Sequence, residues 1–300
     1  MRRLHSLVRI LRQIKSHPLT KSKRAKTLTG YVAWLIGRRI LPGPLLVPFV
    51  GRTRLLVAHD MTEAAYNMYF GLAEFEEMGL VLHALRPDDV FVDVGANIGS
   101  YTVIAAGAVG ARSFSFEPAP ATFSKFLDNI HLNDIASRVS ARNMAVGSKT
   151  GVINFTTMLD CMNHVSSDSE NVGKSAMVPL VTLDDALSGS PVTILKIDVE
   201  GFEAEVIKGA TAAIRCDSLL AVIMEFNGSG SRYGFDEDDL HRYMIDAGFS
   251  LIDYDPLQRK ITLIEAKPLN RGNAVYARNI GRLRERVENA PRYDVRGSLL

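Results

Sequence analysis

The stretch from Val90 to Ser100, Val-Phe-Val-Asp-Val-Gly-Ala-Asn-Ile-Gly-Ser, constrains this chain more than any other. Four of its first five residues are apolar and β-branched or aromatic, which fits a buried strand. Asp93 and Gly95 fall where that strand ends, and Ser100 to Gly107 reads as helix. The unit is strand, tight glycine turn, helix N-terminus. In an open α/β sheet, ligands bind beyond the carboxyl ends of the strands, where such a turn lies. Glycine lets the backbone turn sharply and come close to a ligand, because no Cβ intervenes. A plain strand-to-helix turn carries the same glycines, so this stretch alone leaves function open.

The turn is not a dinucleotide fingerprint. Counted from Gly95, the second and third glycines of Gly-x-Gly-x-x-Gly would fall at Asn97 and Ser100. A nicotinamide oxidoreductase therefore fits poorly. The observed spacing, Asp-x-Gly-x-x-x-Gly from Asp93 to Gly99, resembles the first motif of class I methyltransferases that use S-adenosylmethionine. The next strand, Ala111 to Phe116, ends in Glu117-Pro118. An acid roughly 20 residues past the glycines suits a ribose. One carboxylate can accept from both ribose hydroxyls.

Three hundred residues can bury a sizeable core, and 47% hydrophobic with 23% charged residues is ordinary for a globular protein. The two cysteines, Cys161 and Cys216, show no metal-ligand spacing and suggest no disulfide framework. The net charge of +2 hides an asymmetry: residues 1–59 hold 13 Lys and Arg and no acid. The rest holds 22 basic and 33 acidic residues, so a basic arm precedes an acidic body. In the arm, Leu4, Leu7, Val8, Leu11 and Ile14 share one helical face, away from most of the arginines. Such a helix could lie on an anionic membrane or dock on the body. Tyr31 to Val50 is apolar but broken by Gly37-Arg38-Arg39 and Pro42-Gly43-Pro44, so it is no membrane span. With no early apolar run to serve as a secretory signal, the expected location is the cytoplasm, with peripheral membrane contact through the arm open.

Thr53 to Ala58 reads as a strand and Thr62 to Leu85 as one helix, with Thr62 as N-cap. Glu74, Glu76 and Glu77 read as its wet face. After Glu117 come a helix, Ala121 to Leu132, and strands at Val139 to Val146 and Val152 to Thr157. Leu159 to Lys174 is polar and irregular, a binding loop whose His164 reads first as solvated. Thr182 and Asp185 have capping-box spacing. A further buried strand, Val192 to Asp198, runs into Asp198-Val-Glu-Gly-Phe-Glu203, which puts three acids at the ligand edge. Leu219 to Phe226 is a fifth buried strand ending near Glu225 and Asn227. A helix, Asp236 to Gly248, precedes an antiparallel strand pair, Phe249 to Tyr254 and Asn273 to Arg278. Ile280 to Leu300 reads as a peripheral helix and frayed tail.

The body resembles the FkbM family of S-adenosylmethionine-dependent methyltransferases. The resemblance spans roughly residues 53–279 and rests on Phe91 to Gly99, Phe116-Glu-Pro118, Thr182-Leu-Asp-Asp185 and Leu195-Lys-Ile-Asp-Val-Glu-Gly201. It implies a class I methyltransferase fold: a Rossmann-like three-layer α/β sandwich with a mostly parallel seven-stranded sheet, the last strand antiparallel. Here that domain would follow a helical extension, residues 1–52, and precede a tail, residues 280–300. By similarity Asp93, Gly95, Asn97 and Gly99 frame the amino-acid end of S-adenosylmethionine, and Glu117 its ribose. The implied reaction is O-methylation of a sugar, glycolipid or secondary metabolite.

Such a transfer needs oxygen, methyl carbon and sulfur aligned and a base near the hydroxyl. Asp198 and Glu200 are the candidate bases, with Lys196 orienting them or the acceptor and His164 in reserve. Asp198, Glu225 and Asn227 could instead converge on a divalent cation, although no metal is expected from the resemblance. The rival readings are a non-catalytic S-adenosylmethionine-binding protein and a nucleic-acid methyltransferase. The latter lacks its Asn/Asp-Pro-Pro-aromatic signature here, and the acidic body disfavours phosphate backbones. The expected partner is therefore a small molecule or glycan, not nucleic acid.

Overall fold

Residues 10–40, 43–58, 61–156, 163–166, 175–265 and 272–300 are described by a computed structural model of the chain. Strands β1 (Leu45–Pro48) and β2 (Arg54–Val57) form a hairpin of their own. The main sheet is built from β3 (Val90–Val94), β4 (Arg112–Phe116) and β5 (Val139–Arg142), and later segments complete it. A separate three-stranded sheet holds β6 (Ala145–Val146), β7 (Gly151–Thr156) and β8 (Ser175–Val181). The chain then returns with β9 (Ile194–Ile197), β10 (Ala221–Phe226), β11 (Ser250–Asp255), β12 (Lys260–Leu263) and β13 (Gly272–Ala277). The order across the sheet is β12-β11-β13-β10-β9-β3-β4-β5. Strands β10, β9, β3, β4 and β5 pair in parallel in that order, and β13 runs antiparallel to both β10 and β11. This is the class I methyltransferase arrangement. The seven expected strands are joined by an eighth, β12, a hairpin partner of β11 at the edge.

All five residues of β3 are buried, as a central parallel strand with both faces covered requires. Alternation sorts the strands onto two cores. Val90, Val92, Leu195, Ile197, Val222 and Met224 pack on one face, and Phe91, Ile194 and Ile223 on the other. Chain order reverses between β3 and β9, so the ligand crevice of such a sheet lies at their carboxyl ends.

Several boundaries differ from the sequence reading. The helix expected over Thr62 to Leu85 is two, Thr62–Phe70 and Phe75–Ala84, and Met61 rather than Thr62 holds the N-cap position. Buried Asn67 makes the break. Its side chain donates to Ser100 Oγ at 3.1 Å and accepts from the Ala73 N–H at 2.9 Å, while Gly71 takes φ +86°. The helix after the glycine turn starts at Ser100–Thr102 and continues as π-helix over Val103–Val109. Val139 to Val146 splits because Asn143 donates to the carbonyls of Glu117 and Pro118, and β6 leaves for the second sheet.

The tail is docked rather than frayed. Helix Ile280–Glu288 buries Leu283 and Val287, and Arg286 pairs with Asp89. The hairpin β14 (Asp294–Val295) and β15 (Ser298–Leu299) follows, with Val295 buried. At the other end, Ile10 and Ile14 pack with Tyr31 and Phe70, so the described part of the arm helix faces the body. Leu4, Leu7, Val8, Cys161 and most of the 159–174 loop lie outside the described residues.

Candidate active site

Asp93, Lys196 and Glu225 share the parity of Phe91, Ile194 and Ile223, so three neighbouring strands aim a charged group at the same side of the sheet. Asp93 stands directly opposite Lys196 in register, and Glu225 opposite Asn273 on β13. A bare charge in a core costs several kcal/mol and must be paired. Lys196 is 3% exposed and meets the Asp198 carboxylate at 2.8 Å, with the Tyr101 ring 4.9 Å from its ammonium. Burial would pull its pKa down, but Asp198, Asp93 and Glu74 outweigh that and hold the ammonium charged.

The glycine turn is built as the sequence implies. Gly95 takes φ +84°, and a Cβ there would collide with the Asp198 carbonyl, so the glycine lets the β3 and β9 ends meet. Gly99 takes φ +87° against the Phe126 ring, and Asn97 takes φ +51°. Glu117 braces this turn: its two carboxylate oxygens accept the N–H groups of Asn97 at 3.0 Å and Ala119 at 2.8 Å. Burial pushes the Glu117 carboxyl up to about 7 against those two hydrogen bonds. Asp93 accepts Thr102 Oγ1 at 2.8 Å through Oδ2, while its buried Oδ1 has no partner within the protein. Burial raises its pKa and Lys196 opposes the rise. Beside the turn, Gly95, Pro118, Met144, Val165 and Phe202 line a narrow apolar slot.

The three acids after β9 have different surroundings. Asp198 is part-exposed, with one oxygen on Lys196. Glu200, at φ +56°, accepts Asn227 Nδ2 at 3.4 Å. Glu203 turns inward and accepts the N–H groups of Val199 and Gly201, so it holds the turn. One oxygen each from Asp198, Glu200 and Glu225 lie within 4.8 Å of one another. Burial, then Asp198, Glu200 and Glu203, push the Glu225 carboxyl up to about 9. Its Oε2 is buried without a partner. Asn227, expected beside these acids, touches Glu200. His164 is not the solvated residue its loop suggests: it is 5% exposed and its backbone pairs with Thr156; burial, then Asp198, raise the pKa of Glu200.

Sequence reasoning missed Glu74. It does not lie on a wet face: its carboxylate accepts Tyr101 Oη at 2.6 Å and a hydrogen bond from Asn273, facing Lys196. Burial raises its pKa, and Lys196 opposes. Glu77 follows it inward, pushed up to about 8 by burial and then by Glu74. Only Glu76 keeps the exposed place expected of all three. The available signal was the unusual density of acids just before a buried apolar run.

Comparison with known proteins bears on this arrangement. The family described as Methyltransferase FkbM domain matches residues 93–251, more than half of the chain. Hexuronic acid methyltransferase AglP of Haloferax volcanii is 30% identical over 181 residues, covering 59% of this chain and 70% of that protein. Methyltransferase 1 of Beauveria bassiana is 33% identical over 148 residues, 41% of this chain and 59% of that protein. The 31-O-demethyl-FK506 methyltransferase FkbM of Streptomyces tacrolimicus is 28% identical over 181 residues, 48% and 69% of the two chains.

Proposed function

This chain belongs to the FkbM methyltransferase domain family, and from that premise we propose that it transfers the methyl group of S-adenosylmethionine to a hydroxyl oxygen of a sugar, glycolipid or secondary metabolite. S-Adenosylmethionine dependence comes with the family; the oxygen acceptor is our reading. It is supported by two relatives whose names specify a hexuronic acid and 31-O-demethyl-FK506.

The residues present fit the cofactor. The partnerless Asp93 Oδ1 offers a buried acceptor of the kind an ammonium group needs. Glu117 keeps unused acceptor capacity on both oxygens for two hydroxyls. Bound there, S-adenosylmethionine supplies an electrophilic methyl group on a sulfonium. Asp198 would accept the proton that the acceptor hydroxyl gives up on methylation. Lys196 anchors the other side of that carboxylate and fixes its aim. Glu200 lines the acceptor side.

The observation that carries this reading is the part-exposed Asp198 carboxylate, held by a buried lysine at the edge where the glycine turn meets β9. Replacing Asp198 by Asn tests it, with acceptors drawn from hexuronic acid glycosides and polyketide alcohols. Turnover should fall about 10²- to 10⁴-fold while cofactor affinity holds. Undiminished turnover would remove Asp198 as the base.

A second reading has its own support in the close approach of Asp198, Glu200 and Glu225. A hard divalent cation among these oxygens would ionise Glu225 and polarise the acceptor hydroxyl. Magnesium or calcium should then raise the melting temperature, and a chelator should abolish turnover. Turnover untouched by chelation eliminates this reading.

A further inference from the structure

Helix Arg24–Ile40, helix Thr62–Phe70 and the hairpin of β14 and β15 surround a cavity of about 330 Å³, which shares no residue with the Asp93–Asp198 crevice. That volume falls among small-molecule sites, which run from roughly 300 to 1,000 Å³. Lys23, Lys26, Thr27 and Gly30 are three and four residues apart, so they share the side of the first helix that faces this space. The missing side chain at Gly30 keeps the space open: a Cβ there would meet nothing within 4 Å. Leu19, Met68 and Phe70 give the cavity an apolar wall.

The charge of the lining says what the cavity takes. Lys23, Lys26 and Arg296 line it and no acid does. Lys23 is committed to the hairpin, donating to the Gly297 carbonyl at 3.1 Å and to Ser298 Oγ at 3.0 Å. The Ser298 hydroxyl, accepting there, keeps its own proton to donate. The hairpin's acid, Asp294, is turned to the Gly297 N–H. Among the described residues no carboxylate pairs with Lys26 or Arg296. Arg286 and Arg278, by contrast, are tied to Asp89 and to the carbonyls of Cys216 and Leu219. Protein crowds the Arg296 guanidinium and lowers its pKa with no carboxylate to counter that, yet the residue stays open to solvent. Its backbone is also costly, at φ +53° in a turn that ordinarily favours glycine or asparagine. Acids usually accompany the positive end of a helix, but the first turn of Arg24–Ile40 has none. Three like charges therefore face one space, and an anion within it would offset their repulsion.

We propose that this cavity binds a phosphate monoester, with the phosphate between Lys26 and Arg296, Lys23 and Ser298 beside it, and the esterified body against the apolar wall. A phosphate monoester carries roughly two negative charges near neutral pH and offers several strong acceptor oxygens, where a carboxylate carries a single charge. A guanidinium and an ammonium are the side chains that recognise such a group. The site does not depend on the identity of the methyl acceptor or on the catalytic reading.

Isothermal calorimetry of the full chain tests this, with glycerol 3-phosphate as the probe and glycerol as its uncharged control. The phosphate ester should bind and glycerol should not, and binding should weaken as salt is raised. Lys26→Gln/Arg296→Asn should lower affinity about tenfold or more, the worth of hydrogen bonds to a charged group. Asparagine suits the left-handed turn, so the melting temperature of that variant should hold or rise. Gly30→Leu fills the cavity without touching a cation and improves helix propensity; it should abolish binding while the protein stays folded. S-Adenosylmethionine affinity should be unchanged in both variants, which separates this site from the crevice. Sedimentation with phosphatidylcholine vesicles containing roughly 20% phosphatidic acid distinguishes the source of the phosphate. Binding of the soluble ester assigns a free metabolite, and pelleting that the same variants abolish, without soluble binding, assigns a lipid headgroup. Binding of neither probe, or binding undiminished in either variant, would overturn the proposal.

Discussion

Glu74 is a single residue with two tasks, and substitutions separate them. It accepts the Tyr101 hydroxyl and stands among the carboxylates that keep Lys196 charged. Glu74→Ala leaves a buried tyrosine hydroxyl unpaired, at a cost of about 1–3 kcal/mol. Glu74→Gln keeps an acceptor there and loses only the charge. Thermal melts and kinetics should show stability restored by Gln but turnover still reduced about tenfold, mainly in kcat. If Gln restores both, Glu74 serves the fold alone. Asp93, Gly95, Gly99 and Glu117 were legible in the sequence because a strand end and a tight turn fix them locally. Glu74 was not, since its inward aim depends on Asn67 reaching Ser100 and Ala73 and breaking the helix ahead of it. That is a tertiary contact, and no periodicity encodes it.

At the scale of elements, the Thr182-Leu-Asp-Asp185 motif shows how a correct motif can hide its mechanism. Thr182 Oγ1 accepts the Asp185 N–H at 3.1 Å and caps helix Leu183–Leu187, as its spacing implies. The other acid does something different. Asp184 reaches across to accept the N–H groups of Ala212 and Ala213 at 2.9 and 3.0 Å, capping the neighbouring helix Thr211–Arg215. The motif therefore staples two short helices under the sheet face opposite the charged row. Thr182→Ala and Asp184→Ala should each cost about 1 kcal/mol in denaturant unfolding, with cofactor affinity unchanged. Altered affinity would place the motif in the binding machinery. The parallel core strands were readable from apolar runs between turn signals. The edge strand β12, whose Lys260, Thr262 and Leu263 are exposed, carries no such run and depends on its hairpin with β11.

The whole molecule concentrates buried acid around the carboxyl ends of its central strands, and its pH dependence follows. Glu117 and Glu203 rise to about 7, Glu77 to about 8 and Glu225 to about 9, each chiefly through burial. A carboxyl whose folded pKa lies above its unfolded one binds more protons when folded. Its contribution is present at low pH and is lost as pH climbs from the unfolded value through the folded one. Melting temperatures measured at about pH 6 and about pH 9 should show the protein losing stability, and Glu225→Gln losing less of it. A parallel loss in the variant would mean that Glu225 does not titrate in this window. His83, fully buried and held down to about 4 by burial and then by Arg259 and Arg86, acts in the opposite sense at acid pH. The charge asymmetry was plain in the sequence, but convergence of acids from three strands and two helices required the fold.

The catalytic reading depends on S-adenosylmethionine occupying the crevice between the glycine turn and Glu117, and isothermal calorimetry tests that most directly. The purified chain should bind one S-adenosylmethionine and no NADH. Glu117→Ala, and Glu117→Gln with its shape retained, should weaken that binding about tenfold or more, the worth of a charge-assisted hydrogen bond to ribose. Absence of S-adenosylmethionine binding, or equal affinity in both variants, would contradict the placement of the cofactor at this turn.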